Sequence, residues 1–156
     1  MEGGNVLKIK LAVSNERYLD LKATLESYGI EIDDTADLIL CENNSFVDNL
    51  IVRDKTTGEK IVLPVEDIVF IETYGHSVEV HSIKGIYQSS DRLYKIYSLL
   101  NPNNFLRISN SVIIAKNKVM KITPTLSMKF ILTMTNGKKV DVTRNYYYIF
   151  KESFNI

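Results

Sequence analysis

Apolar residues recur along this chain in two rhythms, and the switches between them mark out its elements. Residues 5–13 carry Val6, Leu7, Ile9, Leu11 and Val13 in a mostly alternating pattern that predicts a strand. Ser14 stands at an N-cap position ahead of Tyr18, Leu21, Leu25 and Tyr28 at helical spacing, and Gly29 supplies the stop. Leu38–Cys41 is a second apolar run of strand length. Residues 1–45 therefore read as a small β-α-β segment. Such a segment is too short to be stable alone, so it is expected to pack on the rest of the chain or on a partner chain.

From Phe46 the rhythm shortens to strands separated by tight turns. Leu50–Arg53 and Lys60–Leu63 flank Asp54-Lys55-Thr56-Thr57-Gly58-Glu59 as a hairpin-like pair, and Pro64 interrupts. Asp67–Thr73, Ser77–Ser82 and Ile86–Ser89 read as strands. Leu93, Ile96, Tyr97 and Leu100 then form one helical stripe, which Asn101-Pro102 ends. Strands follow at Phe105–Ile108, Val112–Ala115, Val119–Thr123, Lys129–Thr135 and Lys138–Val142. Asn136-Gly137 between the last two is a strong hairpin signal. The tail Tyr146–Phe154 is expected to form one or two helical turns. The fold class is therefore α+β, mostly β, with residues 46–156 as one domain after the β-α-β segment.

Composition narrows the function. Of 156 residues, 45% are apolar and 24% charged, which suits a folded domain with a real core. The single cysteine, Cys41, excludes an internal disulfide and is expected to be a buried small hydrophobe. Charged residues interrupt every apolar run near the N-terminus, and no stretch has the roughly 20 apolar residues of a spanning helix. Membrane insertion is not expected, and a cytoplasmic location is.

The net charge is zero but unevenly placed. Residues 1–60 hold 7 basic and 12 acidic side chains, a net of −5, whereas residues 101–156 hold 9 and 2, a net of +7. A basic segment of that size favours a polyanion as partner. The catalytic inventory is thin. There is no Gly-rich phosphate loop, no nucleophile elbow, and no Cys/His spacing for zinc. His76 and His81, five apart, would face opposite sides of any one extended strand, and Glu79 and His81, a weak pair on one face, read as surface polar residues of a strand. No catalytic residue, metal site or cofactor is expected, and the chain reads as a non-enzyme.

The basic residues sit at turns and strand ends, which present side chains outward from a rigid sheet. Lys116 and Lys118 flank Asn117, Lys138 and Lys139 follow Asn136-Gly137, and Arg144-Asn145 closes the last strand. Arginine forks match guanine edges or phosphates, amides match adenine edges, and lysines suit phosphates. Three such loops are expected to line one DNA-facing edge. Taken alone, Asn136-Gly137-Lys138-Lys139 is first of all a soluble hairpin tip.

At this point the chain, from about Leu50 onward, resembles the LytTR-type DNA-binding domain of bacterial response regulators. The resemblance rests on Ile68-Val69-Phe70-Ile71-Glu72, on Phe105-Leu106-Arg107-Ile108-Ser109-Asn110-Ser111-Val112, and on Asn136-Gly137 followed by Thr143-Arg144 with Tyr146 and Tyr147. It implies an elongated, mostly-β domain of small antiparallel sheets that reads successive major grooves of double-stranded DNA through loops, at paired promoter repeats. By resemblance Arg144, the hairpin position near Asn136, and Ser109 make base contacts. Asn110 and Asn145 join them as candidates, with Lys116, Lys138 and Lys139 on phosphates, while Arg107 turns toward the body of the domain. Ser109 stands where the family carries His, Val112 where it carries an aromatic, and Ala115 where it carries Asn. An altered recognition sequence is expected. The other reading is a β-rich protein-interaction module, or anti-regulator, that keeps the fold without DNA binding. Residues 1–45 do not match a receiver domain, and a homodimer contact or partner docking is the role expected of them.

Overall fold

A computed structural model describes residues 5–42 and 46–156, in two compact units, 1–44 and 45–156. The boundary expected after residue 45 falls on residues outside the described ones.

The smaller unit is a three-stranded parallel sheet in the order β2-β1-β3, with β1 at Lys8–Ala12, β2 at Glu31–Ile32 and β3 at Leu38–Cys41. Helix α1, Asn15–Ser27, connects β1 to β2. Its end follows from Gly29, whose φ of +80° a side chain would strain. The Gly29 N–H donates to the Glu26 carbonyl and Ile30 N–H to Leu25, which is a Schellman closure. Ser14 sits at the N-cap, but its hydroxyl makes no cap bond; its own N–H donates to Glu42 Oε1 at 2.8 Å. Strand β2 is too short for a periodicity to announce it. Only Ile9 and Leu11 are buried among the described residues of this unit, and α1 buries no residue. Cys41 is exposed, not buried as expected, because β3 is an edge strand whose four side chains are all exposed.

The larger unit holds two antiparallel sheets. Seven strands run in the order β5-β4-β8-β7-β6-β10-β9: β4 Asn49–Arg53, β5 Lys60–Pro64, β6 Ile68–Tyr74, β7 Ser77–Ser82, β8 Ile86–Ser89, β9 Phe105–Arg107 and β10 Val112–Ala115. Three more, β11 Val119–Pro124, β12 Phe130–Met134 and β13 Lys139–Val142, form a meander. Helix α2 spans Leu93–Leu99 and α3 spans Tyr147–Phe154. Short 3-10 turns at Val65–Asp67, Lys116–Lys118 and Arg144–Tyr146 connect β5 to β6, β10 to β11 and β13 to α3.

The central strands β6 and β10 are covered on both faces, so both read as unbroken apolar runs. One face packs Ile68, Ile71, Val80 and Ile113 under Leu93, Ile96 and Leu100, the stripe read from sequence. The other packs Val69, Phe70, Leu106 and Ile114 against Phe130, Leu132, Val140 and Phe150 of the meander and α3. A register shift between Ile68 and Phe70 explains how adjacent residues reach the same core. A bulge at this point lets both Val69 and Phe70 face the second core before alternation resumes. Each such fully buried aliphatic or aromatic side chain contributes about 1.5–3 kcal/mol.

The β12–β13 hairpin closes at Asn136-Gly137 as the sequence indicates. Gly137 N–H donates to the Met134 carbonyl and Met134 N–H to the Lys138 carbonyl, both at 2.8 Å, with Gly137 at φ +82°. That is a three-residue loop whose last residue must be left-handed, the reason glycine stands there.

Candidate nucleic-acid interface

An open groove runs along β13 in the larger unit. Its far wall is the Ser109–Ser111 loop between β9 and β10, and Glu72 of β6 lies at its floor. Among the expected residues, Ser109, Asn110, Lys139, Arg144 and Asn145 line it together. The loop is held rigidly from behind. Arg107 donates from Nε to the Ser109 carbonyl at 3.1 Å and from Nη2 to the Asn110 carbonyl at 2.6 Å. Thr73 N–H donates to the Ser111 carbonyl at 2.8 Å. Arg107 thus serves the body of the domain, as its strand position suggests.

The two walls are also tied to each other. Thr143 N–H donates to the Ile108 carbonyl at 3.0 Å, and the Tyr146 hydroxyl donates to Asn110 Oδ1 at 3.1 Å. Arg144 opens a 3-10 turn and is exposed, as is Asn145. The side chains of Lys129, Lys139 and Arg144 make no ion pair or hydrogen bond among the described residues. Their charge is therefore unspent. Thr143 of the Thr143-Arg144 motif lines the groove as well, as do Lys129 and Asp141, which no motif singles out. The signal for Lys129 is register: Phe130 pairs with Val142, which brings Lys129 beside Thr143.

Other expectations need correcting. Ser109 is buried, and its hydroxyl accepts the Ser111 N–H at 3.2 Å, so it serves the loop's own turn. The three basic loops do not share one edge. An antiparallel hairpin sends the two ends of β13 to opposite ends of the sheet, about 10 Å apart at about 3.3 Å per residue. Asn136 and Lys138 lie at the hairpin tip, beyond the Lys139 end of the groove, and Asn136 Oδ1 accepts the Lys138 N–H at 3.1 Å. Lys116 lies at the opposite end of β10 from the Ser109–Ser111 loop, with Nζ 5.6 Å from the Phe154 ring centre.

His76 is in the β6–β7 turn, as the strand bounds read from sequence have it, whereas His81 differs from expectation, being 2% exposed rather than a surface residue. His81 stacks on Phe70 with ring centres 4.0 Å apart. Its Nε2 faces Glu72 Oε1 at 3.0 Å and Glu79 Oε1 at 3.7 Å, while Lys55 pairs with Glu79. Burial pushes the His81 pKa below its ordinary value, and the Glu72 charge and hydrogen bond oppose that. Donor atoms of Glu72, Glu79 and His81 all lie within 4.8 Å of one another, so they are the set with metal-ligand geometry among the described residues. A metal on Nε2 would displace the Glu72 bond and leave a proton on Nδ1, which has no acceptor. Metal-bound histidines are held by such an acceptor. The cluster is best described as a buried His–carboxylate pair supporting the groove floor.

A strand-rich domain that gathers unspent cations and amides from rigid loops along one groove defines a polyanion-facing binding domain. The chain belongs to the LytTr DNA-binding domain family, whose model matches residues 58–155. It is 27% identical to the transcriptional regulatory protein LytR of Staphylococcus aureus (strain bovine RF122 / ET3-1) over 119 residues, 69% of this chain and 48% of that protein. It is 33% identical to the sensory transduction protein LytT of Bacillus anthracis over 89 residues, 56% of this chain and 36% of that one. The matched stretch is thus less than half the length of either relative. Among solved structures, a LytTr DNA-binding domain from Bacillus cereus superposes with a TM-score of 0.66 at 23% identity, covering 70% of this chain and 99% of that one. That likeness establishes the strand-rich fold.

Proposed function

We propose that the protein is a DNA-binding transcription regulator that reads double-stranded DNA by loops set along the β13 groove. The observation that carries this is the unspent charge of Lys129, Lys139 and Arg144 on a scaffold tied by the Tyr146–Asn110 bond. Arg144 is the base reader, matching a guanine edge with its fork, and Asn110 and Asn145 supply amides beside it. Lys139 and the hairpin-tip Lys138 neutralise phosphates. Ser109 shapes its loop and contributes little reach of its own.

Selection from a random pool of duplexes at about 150 mM salt tests the reading, because non-specific phosphate binding is already weakened there. A short enriched motif is expected. Arg144→Ala should then weaken binding to that motif by about 1–3 kcal/mol and flatten discrimination at one base pair. Equal weakening on every sequence would make Arg144 a phosphate contact. No binding to any duplex, even at low salt, would favour the protein-interaction module.

The smaller unit joins two copies in this reading. Its support is β3, an edge strand with Leu38, Ile39 and Leu40 exposed, in a unit with only two buried residues among those described. An open apolar edge is a template for pairing. Sedimentation of the full chain should show a dimer that Ile39→Lys dissociates; a monomer at all concentrations removes this role. Among the described residues no helix is long and apolar enough to cross a membrane.

A further inference from the structure

A second hollow in the larger unit is reached by Arg107, the residue that clamps the Ser109–Ser111 loop. This second hollow is lined by Arg53, Arg92 and Arg107 together with His76, Gln88 and Ser90. The three arginines come from three separate elements. Arg53 closes β4, where it pairs with Gln88 of β8; Arg92 immediately precedes α2; Arg107 ends β9. Arg107 is spent on the carbonyls of Ser109 and Asn110. Arg53 and Arg92 are exposed, and neither side chain makes an ion pair or hydrogen bond among the described residues. The one carboxylate in the lining, Asp91, accepts from Lys95 Nζ at 3.1 Å, so it does not neutralise them.

Two free guanidinium groups in the lining of one polar concavity suit the planar, bidentate demand of a phosphate. Lysines at such a place would signal only general surface charge, whereas fork geometry adds direction. We propose that this hollow is a phosphate site, with Arg53 and Arg92 as its ligands and Arg107 fixed in its lining. Its phosphate has two chemical sources. One is the phosphodiester backbone of the same duplex, which deepens the DNA-binding reading and rests on it. The other is a free phosphate-bearing small molecule, which does not.

The test uses the full chain with Arg53→Gln, Arg92→Gln and the double variant, each checked for an unchanged thermal melt. Affinity for specific and scrambled duplexes is measured from 50 to 200 mM salt. For a duplex source, each variant should reduce the slope of log affinity against log salt by about 1, so that it loses about fourfold less affinity over that range per contact removed. The change should be equal on both duplexes, with base discrimination kept. In parallel, inorganic phosphate is titrated while the Nε–H resonances of Arg53 and Arg92 are followed by NMR. Unchanged slopes with a saturable phosphate shift uphold the site with a free-ligand source. Unchanged slopes and no shift overturn it. Failure of the wild type to bind any duplex counts against the DNA-binding reading, and the phosphate titration still decides the site.

Discussion

The Tyr146 hydroxyl donates to Asn110 Oδ1 at 3.1 Å across 36 residues of sequence, and so joins the two walls of the β13 groove. Asn110 belongs to the loop that Arg107 clamps from behind, and Tyr146 ends the turn that begins at Arg144. The bond fixes which end of the Asn110 amide is spent. It leaves the NH₂ group free to donate, and it couples the position of Asn110 to that of Arg144.

Tyr146→Phe removes only that hydroxyl. A net hydrogen bond is worth about 0.5–1.5 kcal/mol, so specific DNA affinity should fall by at most about 2- to 13-fold. The thermal melt should fall by no more than a few degrees. Fluorescence anisotropy on the selected duplex reads the effect. Equal affinity in variant and wild type would mean that Asn110 does not need this tether.

Asp141 is exposed and lines the groove beside Lys139 and Arg144. A carboxylate facing a polyanion opposes binding, and that opposition is screened by salt. Asp141→Asn should tighten binding several-fold at low salt, with the gain shrinking at about 200 mM and above. A gain that persists at high salt would point to a direct contact. A loss of affinity would make Asp141 an acceptor from a base.

His81 makes acid stability a local matter. Burial lowers its pKa, Lys138 adds to the lowering, and Glu72 and Glu79 oppose it. An unfolded chain therefore takes up a proton near 6.5 that the folded chain still refuses. The stability contributed by this group is complete above about pH 6.5. It is lost as pH falls from there toward the lower folded pKa. Urea denaturation from about pH 8 to about pH 5 should show that decline in the wild type and a flatter profile for His81→Gln. Parallel profiles would show that His81 takes up its proton without penalty.

Phe150 is the inward anchor of α3, fully buried, with ring centres 5.1 Å from Phe130 and 4.6 Å from Phe154. Phe150→Ala leaves a cavity in the second core and should cost about 3–5 kcal/mol, a large share of a typical domain's stability. Chemical denaturation measures it. A cost under about 1 kcal/mol would mean that α3 is not needed by the sheet it covers.

Much of this molecule was legible in its sequence. Alternation marked most strands within a residue or two, the Leu93–Ile96–Leu100 stripe gave α2, and Asn136-Gly137 gave the last hairpin. The ordered motifs around Ile68–Glu72, Phe105–Ser111 and Thr143-Arg144 gave the family. These features are set by local rules. A period reports which side of an element is apolar, and a turn residue reports a backbone dihedral; both act within a few residues.

What lies opposite an element was decided only by the tertiary structure. His81 reads as an ordinary strand histidine until the Phe70 ring is found stacked on it and Glu72 beside its Nε2. Ser109 reads as a short contact residue until its hydroxyl is found turned to Ser111. Lys116 looks equivalent to Lys139 in sequence, yet hairpin geometry carries Lys116 away from the groove that Lys139 lines. Arg53, Arg92 and Arg107 share a hollow although they are up to 54 positions apart in sequence. No periodicity carries that information. Strand order and sheet packing set the convergence of distant side chains, and these follow from the energetics of two shared cores rather than from any segment's own pattern.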